Sequence, residues 1–423
     1  MKKFLKMLTN KEVSKKVLFT LFILIVYKIG MNLTIPGTAI DSLSFESASV
    51  FGLMNMFGGG ALQNYSVFAM GITPYITAGI VVQLLAMGVI PVLSDWNDEG
   101  ENGKRKTEKV TRYIGFVLAI LQGFALTYGF DKQYGLLLSN TWRSYVLTVA
   151  ILTAGTMILV WLGDMITTYG VGNGASMIIV AGIISSLPST FSSTFSQIFS
   201  IGTTAWTVTK FAGYILLYLL LILGVIIVEN AENRIPIRYA TGGMSNPGAR
   251  MSYLPIKINS AGVLPIIFAQ TLLTVPVSIA GLCNYNAYTT LSKLFSLGSA
   301  SGLIIYGLLT FGFAFLYTHM ILDVEEMSDN LKKQQGFIPG VRAGKDTEKH
   351  IAKVINGTTM IGAIAITVMA LLPYLLSLVT SVSTVSALGG TGVIIICGVA
   401  ADTISQLQTV TVENKYSTWK IGR

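Results

Sequence analysis

Two segments of this 423-residue chain open on one signature: Gly71-Ile72-Thr73-Pro74-Tyr75-Ile76 and Gly262-Val263-Leu264-Pro265-Ile266-Ile267, each the start of a long apolar run. Both read G-[IV]-x-P-x-I. Ten apolar stretches approach the ~20 residues that cross a ~30 Å hydrocarbon core; they lie roughly at 17–35, 67–93, 113–130, 145–163, 174–187, 211–228, 261–282, 302–322, 354–376 and 388–407. The signatures mark the second and the seventh, so the two runs traverse the bilayer in opposite directions, the sequence form of an inverted repeat. The fifth run, after Gly172-Asn173-Gly174, reaches Ile178-Ile179, and the tenth, after Gly389-Gly390, reaches Ile394-Ile395-Ile396. The expectation is an all-α integral membrane protein: ten transmembrane helices in two inverted five-helix halves around a central pore. The halves are expected at 17–187 and 211–407, with an external linker at 188–210 and tails at 1–16 and 408–423.

Composition agrees. Charged residues make up only 12% of the chain, against about a quarter in soluble domains, and mean hydropathy is +0.65. If the N-terminus is cytoplasmic, 24 of the 29 Lys and Arg fall on that side, leaving Lys132, Arg143, Lys210 and Lys293 opposite and Lys28 to snorkel from the first helix. The positive-inside rule therefore predicts two cytoplasmic termini. The first run is long enough to span and has no small-residue cleavage site, so it is expected to be a retained helix. Cys283 and Cys397 match no metal or redox spacing.

Three segments stand apart from the spans. Residues 36–66 carry Asp41 and Glu46 but no Lys or Arg, and within them Phe51-Gly52-Leu53-Met54-Asn55-Met56-Phe57 is apolar, too short to cross, and ends in Gly58-Gly59-Gly60. A half-helix tucked into the bundle from outside fits, because irregular backbone at membrane depth must be buried in protein or line a wet cavity; a surface turn with a glycine cap is the plainer alternative. The loops at 229–259 and 323–353 are long, polar and glycine-rich, and loops of that length tend to be functional or mobile. They are candidate docking surfaces, or simply solvated, orientation-setting faces. The fifth run is the shortest, with about fourteen residues between Gly174 and Pro188.

Catalytic chemistry is poorly supplied. The chain has two histidines, His319 and His350, and the sole serine-protease-like pairing is Ser176 with His319; Gly-x-Ser is common wherever membrane helices pack closely. Gly103-Lys104 and Gly344-Lys345 lack the phosphate-loop frame. An ion-coupled secondary transporter would place acids or bases in the membrane, yet Asp164, Glu229, Asp323 and Asp402 fall at or near helix ends. The repeat signatures carry isoleucines instead, and an apolar constriction gates by dewetting.

The motifs themselves are familiar. Asn55-Met56-Phe57-Gly58-Gly59-Gly60-Ala61-Leu62 followed by Phe68-Ala69-Met70-Gly71-Ile72-Thr73-Pro74-Tyr75-Ile76-Thr77-Ala78 resembles the plug and second helix of the SecY family, the channel subunits of the bacterial Sec translocon. Gly170-Val171-Gly172-Asn173-Gly174, Asn259-Ser260-Ala261-Gly262-Val263-Leu264-Pro265, Asp329-Asn330-Leu331-Lys332-Lys333 and Gly389-Gly390-Thr391 follow in the family's order.

The resemblance implies a protein-conducting channel of the plasma membrane, not an enzyme and without a cofactor. It would translocate unfolded secretory chains and release transmembrane segments sideways. The family's pore ring falls on Ile72, Ile76, Ile179, Ile267 and Ile395, with Ala175 at a position usually bulkier. The plug would span about 51–64, including Phe51, Leu53, Met54, Met56, Phe57, Gly58, Gly59 and Gly60. A lateral gate is implied between the second and third and the seventh and eighth helices. Arg342, with Lys332, Lys333, Lys345, Arg238 and Arg250, would contact a SecA motor or a ribosome, and SecE and SecG would be partner subunits. Departures are Arg342-Ala343-Gly344 for R-P-G, Asn259-Ser260-Ala261-Gly262-Val263 for N-P-A-G-V, Glu99-Gly100-Glu101-Asn102-Gly103-Lys104 for E-G-E-x-G-R, and a 229–259 loop with just four cations. They leave open an accessory copy with a restricted client set.

Overall fold

The apolar runs fold as helices. A computed structural model describes residues 11–38, 50–87, 90–139, 141–199, 205–239, 252–283, 285–342, 344–380 and 390–421. In the first half, α1 is Lys11–Gly30, α2 Val50–Phe57, α3 Thr73–Ala86, α4 Pro91–Asp98, α5 Glu101–Tyr134, α6 Trp142–Tyr169 and α7 Gly174–Phe199. In the second, α8 is Ala205–Asn230, α9 Leu264–Cys283, α10 Tyr285–Phe295, α11 Ala300–Ile321, α12 Val324–Lys333, α13 Lys345–Thr380 and α14 Gly390–Ile421. The ten apolar runs coincide with α1, α3, α5, α6, α7, α8, α9, α11, α13 and α14. Seven of these are long and apolar enough to cross a membrane by length and composition, and two shorter apolar stretches, Thr73–Ala86 and Leu264–Val277, lie in α3 and α9. The remaining one, α1, has 20 residues and carries Lys15, Lys16 and Lys28.

The packing repeats between halves. In the first, α3 packs on α5, α5 on α6, α6 on α7, and α1 on α6 and α7; in the second, α9 packs on α11, α11 on α13, α13 on α14, and α8 on α13 and α14. The halves meet along α3 and α5 against α9, and again where α7 meets α8 and α14. The backbone explains the signature that begins α3 and α9. Gly71 and Gly262 both have positive φ, 58° and 63°, where a side chain is strained, and three residues later Pro74 or Pro265 occupies the first helical turn, where a missing N–H costs nothing. Each signature is thus a left-handed turn that launches a helix.

Several boundaries differ from the sequence expectation. The run at 67–93 is not one span: residues 58–72 are mainly turns, α3 covers 14 residues, about 21 Å, and Pro91 starts a separate helix. The fifth span does not stop at Pro188, since α7 continues through it to Phe199 and takes in much of the expected external linker. Hydroxyls support that turn, with Ser189 Oγ and Thr190 Oγ1 both donating to the Ser186 carbonyl at 2.8 and 2.7 Å; Ser and Thr side chains commonly do this beside membrane prolines. The all-α expectation holds for the apolar helices, but the long loops contain strands. β1 (Glu232–Tyr239), β2 (Ser252–Lys257) and β3 (Gly336–Phe337) form an antiparallel sheet in the order β2-β1-β3, with Ile237 opposite Ser252 and Arg238 opposite Phe337. The alternation Arg234-Ile235-Pro236-Ile237-Arg238 carried that signal at period two. Ile235, Ile237 and Ile256 bury against Leu331, Ile338, Ile351 and Ile355, so the two loops form one body seated on α13.

Candidate functional site

Where the halves meet, one cavity of about 30 Å³ is walled by Ile72 and Ile76 of α3, Ile178 and Ile179 of α7, and Ile267 of α9. That is room for about one water, with five isoleucines from three helices at its centre. Ile395 is fully buried and Ala175 half-buried; both belong to the same apolar cluster but neither lines the cavity. Ile178 was not among the expected residues, and at 1% exposure it stands beside Ile179. Below Ile267, helical spacing brings Gln270, Thr271 and Thr274 onto the cavity wall, with Thr73 across from them on α3. Sequence reasoning missed this polar strip, although its positions three, four and seven after Ile267 are legible once α9 is known to face the axis.

The short helix α2 closes one side of the cavity through Met54, Phe57 and Gly58. It is apolar on two faces: Phe51 and Met54 bury in a cluster with Phe130 and Leu126, whereas Met56 and Phe57 pack toward the isoleucines. Phe51 meets Phe130 edge-on at 5.2 Å. The glycines after it fold back on Asn55, whose backbone carbonyl accepts from Gly60 N at 2.8 Å and whose Oδ1 accepts from Gln63 N at 2.8 Å. The Leu53 side chain lies outside the described residues. At Gly182 of α7 the approach is closest, because a Cβ there would stand 2.0 Å from the Phe57 carbonyl oxygen and 3.1 Å from Tyr27 Oη. We expect Gly182→Ala to push α2 off its seat and to raise resting ion conductance in planar bilayers; unchanged conductance with the protein inserted would count against that docking.

A second gap follows the seam toward Met87. Ile80, Gln83 and Leu84 of α3, with Met87 just after it, face Phe268 of α9 and Leu316 and Tyr317 of α11. The two sides are held differently. Phe268 makes edge-on contacts with Phe313 at 6.0 Å and Tyr317 at 5.7 Å, each worth about 0.5–1.5 kcal/mol beyond area burial, while α3 offers largely aliphatic contacts. The weaker joint is α3 against the α9–α11 pair.

Three of the four acids near helix ends have local partners. Asp164 pairs with Arg112 at 2.8 Å, Glu229 accepts from Asn259, and Asp323 caps α12 by accepting from the backbone of Glu325 and Glu326; Asp402 is exposed on α14. His319 has its ring nitrogens on the Phe315 carbonyl and Asn356 Oδ1, and the backbone N–H of Ser176 donates to Asn173 Oδ1. On the loop body, Lys332 and Lys333 end α12, Lys345 begins α13, Arg238 lies on β1, and Arg342 follows β3, all exposed. Thr347 Oγ1 donates to the Arg342 carbonyl at 2.8 Å, fixing the base of that tip. Arg250, Ala343 and Gly389 lie outside the described residues.

Fold and cavity together define a multi-pass helical membrane protein built from two inverted halves with an apolar waist at their junction. The chain belongs to the SecY family: the family model described as SecY matches residues 66–404. Among its relatives, the Protein translocase subunits SecY of Bacillus licheniformis and Bacillus subtilis are each 39% identical over 414 residues, covering 96% of both chains. That of Staphylococcus epidermidis is 38% identical over 423 residues, covering 98% of both. Its fold is similar to a solved structure described as that of a protein conducting channel, with TM-score 0.69 and 16% identity over 96% of this chain and 94% of that one. A second similar structure, of a SecY plug-domain study, gives a TM-score of 0.67 at 18% identity with the same coverage.

Proposed function

We propose that this chain is the channel-forming subunit of a protein translocase, passing unfolded polypeptide through the waist between its halves and releasing apolar segments through the seam. The observation that carries this reading is the cavity itself: aliphatic side chains from both halves meet at one narrow point, and a short helix with its own fold-back turn caps it. Such a waist excludes water and ions by dewetting at its isoleucines, and among the described residues no charged side chain lines it to select one small solute. Ile72, Ile76, Ile179 and Ile267 form its ring with Ile178, backed by Ile395 and Ala175, and α2 with the turns to Asn64 is its plug. The α3/α9–α11 seam is the lateral gate. The chain works in the plasma membrane with both termini in the cytoplasm, as the bias of its cations supports. SecE and SecG complete the complex. Driving energy comes from a SecA motor or a translating ribosome seated on the sheet-bearing loop body, and the channel itself catalyses no reaction.

In proteoliposomes holding the complete complex and the motor, a preprotein should become protease-protected, and Arg342→Glu should abolish that protection while the channel stays inserted. Arg342 is the chosen site because it is exposed on a tip whose base is fixed, so charge reversal strikes the partner contact and leaves the fold intact. Protection that persists undiminished in that variant would overturn the contact. Accumulation of a small solute without any ATPase would favour a secondary transporter instead.

A further inference from the structure

The two helix-launching turns are suspended differently, and the difference singles out a buried carboxylate. The residue three before each signature glycine is Phe68 in the first half and Asn259 in the second. Phe68 is tied to α1, its ring stacked on Tyr27 with centroids 6.0 Å apart and planes 21° apart. Asn259 is tied to α8: its Nδ2 donates to Glu229 Oε2 at 2.6 Å and to the Gly262 carbonyl at 3.1 Å. By the repeat, α1 and α8 are the corresponding first helices of their halves. Each turn therefore hangs from the first helix of its own half through the same relative residue, by an aromatic stack in one case and an amide–carboxylate bond in the other.

The second suspension is shielded from water, with Glu229 8% and Asn259 7% exposed. A hydrogen bond to an ionised acceptor is stronger than a neutral one, and low local dielectric strengthens it further. Gly398 of α14 leaves the room: a Cβ there would lie 3.0 Å from Glu229 Oε1. Lys257 and Asp402 are the charged groups that act on the carboxylate.

We propose that Glu229 is a positioning residue for the gate: through Asn259 it fixes the Gly262 turn and so sets the resting tilt of α9, holding the seam shut until a client enters. This rests on the reading of the α3/α9–α11 seam as the lateral gate. Among the described residues, only the second half has this polar suspension at its turn.

The test uses membrane vesicles carrying the full chain with its partner subunits, bearing Leu84→Cys and Leu316→Cys across the seam. The readouts are the rate of cross-linking by a short bifunctional reagent and export of a preprotein with a defective signal sequence. Glu229→Leu should slow cross-linking by about tenfold, the scale of losing one hydrogen bond to a charged group, and should increase export of the defective preprotein. Glu229→Gln keeps an acceptor oxygen for Asn259 but not the charge, so it should fall between the parent and Glu229→Leu, about threefold slower than the parent. Unchanged values in Glu229→Leu, or a Gln variant as loose as the Leu one, would overturn the proposal. Should Glu229→Leu fail to accumulate, Asn259→Leu must give the same slowing, and parental behaviour there would overturn it equally. If cross-linking the parent does not arrest export, the gate reading falls and this proposal with it; if arrest occurs and the variants are silent, this proposal alone falls.

Discussion

Planar-bilayer recordings of the Ile76→Asn, Ile267→Asn double variant are expected to show a resting ion leak at least about tenfold above the parent. Both side chains wall a space with room for about one water, and the seal at their level depends on the apolar side chains that meet there. An asparagine buried without a partner costs about 1–3 kcal/mol per polar group, and each 1.4 kcal/mol shifts an equilibrium about tenfold. The closed arrangement relieves that cost by admitting water or by releasing α2, and either route conducts ions. The same variant should pass clients with defective signal sequences, because less apolar contact must be broken to open it. A double variant that is inserted yet tight would place the ring on other residues.

The second large effect concerns the seam. Bridging Leu84→Cys to Leu316→Cys is expected to stop preprotein export almost completely, with full recovery when the bridge is reversed. Both residues face the gap between α3 and α11, and both are partly exposed, so the substitutions remove little packing. A client's apolar segment can part α3 from α9 and α11 at the cost of aliphatic contacts, whereas parting α9 from α11 would break the Phe268 ring pairs as well. A bridge inside the second half, between α9 and α11, should therefore be tolerated. Export that continues with the α3–α11 bridge verified would remove the seam from the mechanism.

Much of this was legible in the chain because membranes restrict the available structures. Each of the ten apolar runs holds a helix, since an unpaired backbone group in lipid is too costly for most alternatives. The inverted halves were visible in Gly71 and Gly262, where one residue type answers one backbone need, a positive φ before a proline-started helix. Less legible were features that depend on neighbours. Pro188 reads as a stop, yet the hydroxyls of Ser189 and Thr190 carry the helix onward. The sheet joining residues 232–239, 252–257 and 336–337 escaped, although the alternation at 234–238 carried its signal, because its third strand lies in a separate loop distant in sequence. Glu229 looked like an ordinary helix-end acid, and only the packed structure brings Asn259 to it. Which of two adjacent isoleucines at 178 and 179 meets the axis was equally beyond periodicity, and both do.

The strip of Gln270, Thr271 and Thr274 bears on speed rather than on closure. On the proposed path, a chain leaving the isoleucines meets an amide and two hydroxyls in place of more hydrocarbon. Hydroxyls and amides trade partners readily with water, so each contact adds little net free energy and none is worth lingering on. A continuous apolar corridor would hold leucine-rich stretches and release charged ones, making dwell time depend on what is being moved. On the proposed path, a thin greasy ring followed by a polar wall would flatten that profile: the client would feel adhesion over only a residue or two at a time, and friction would stay nearly the same for every sequence that passes.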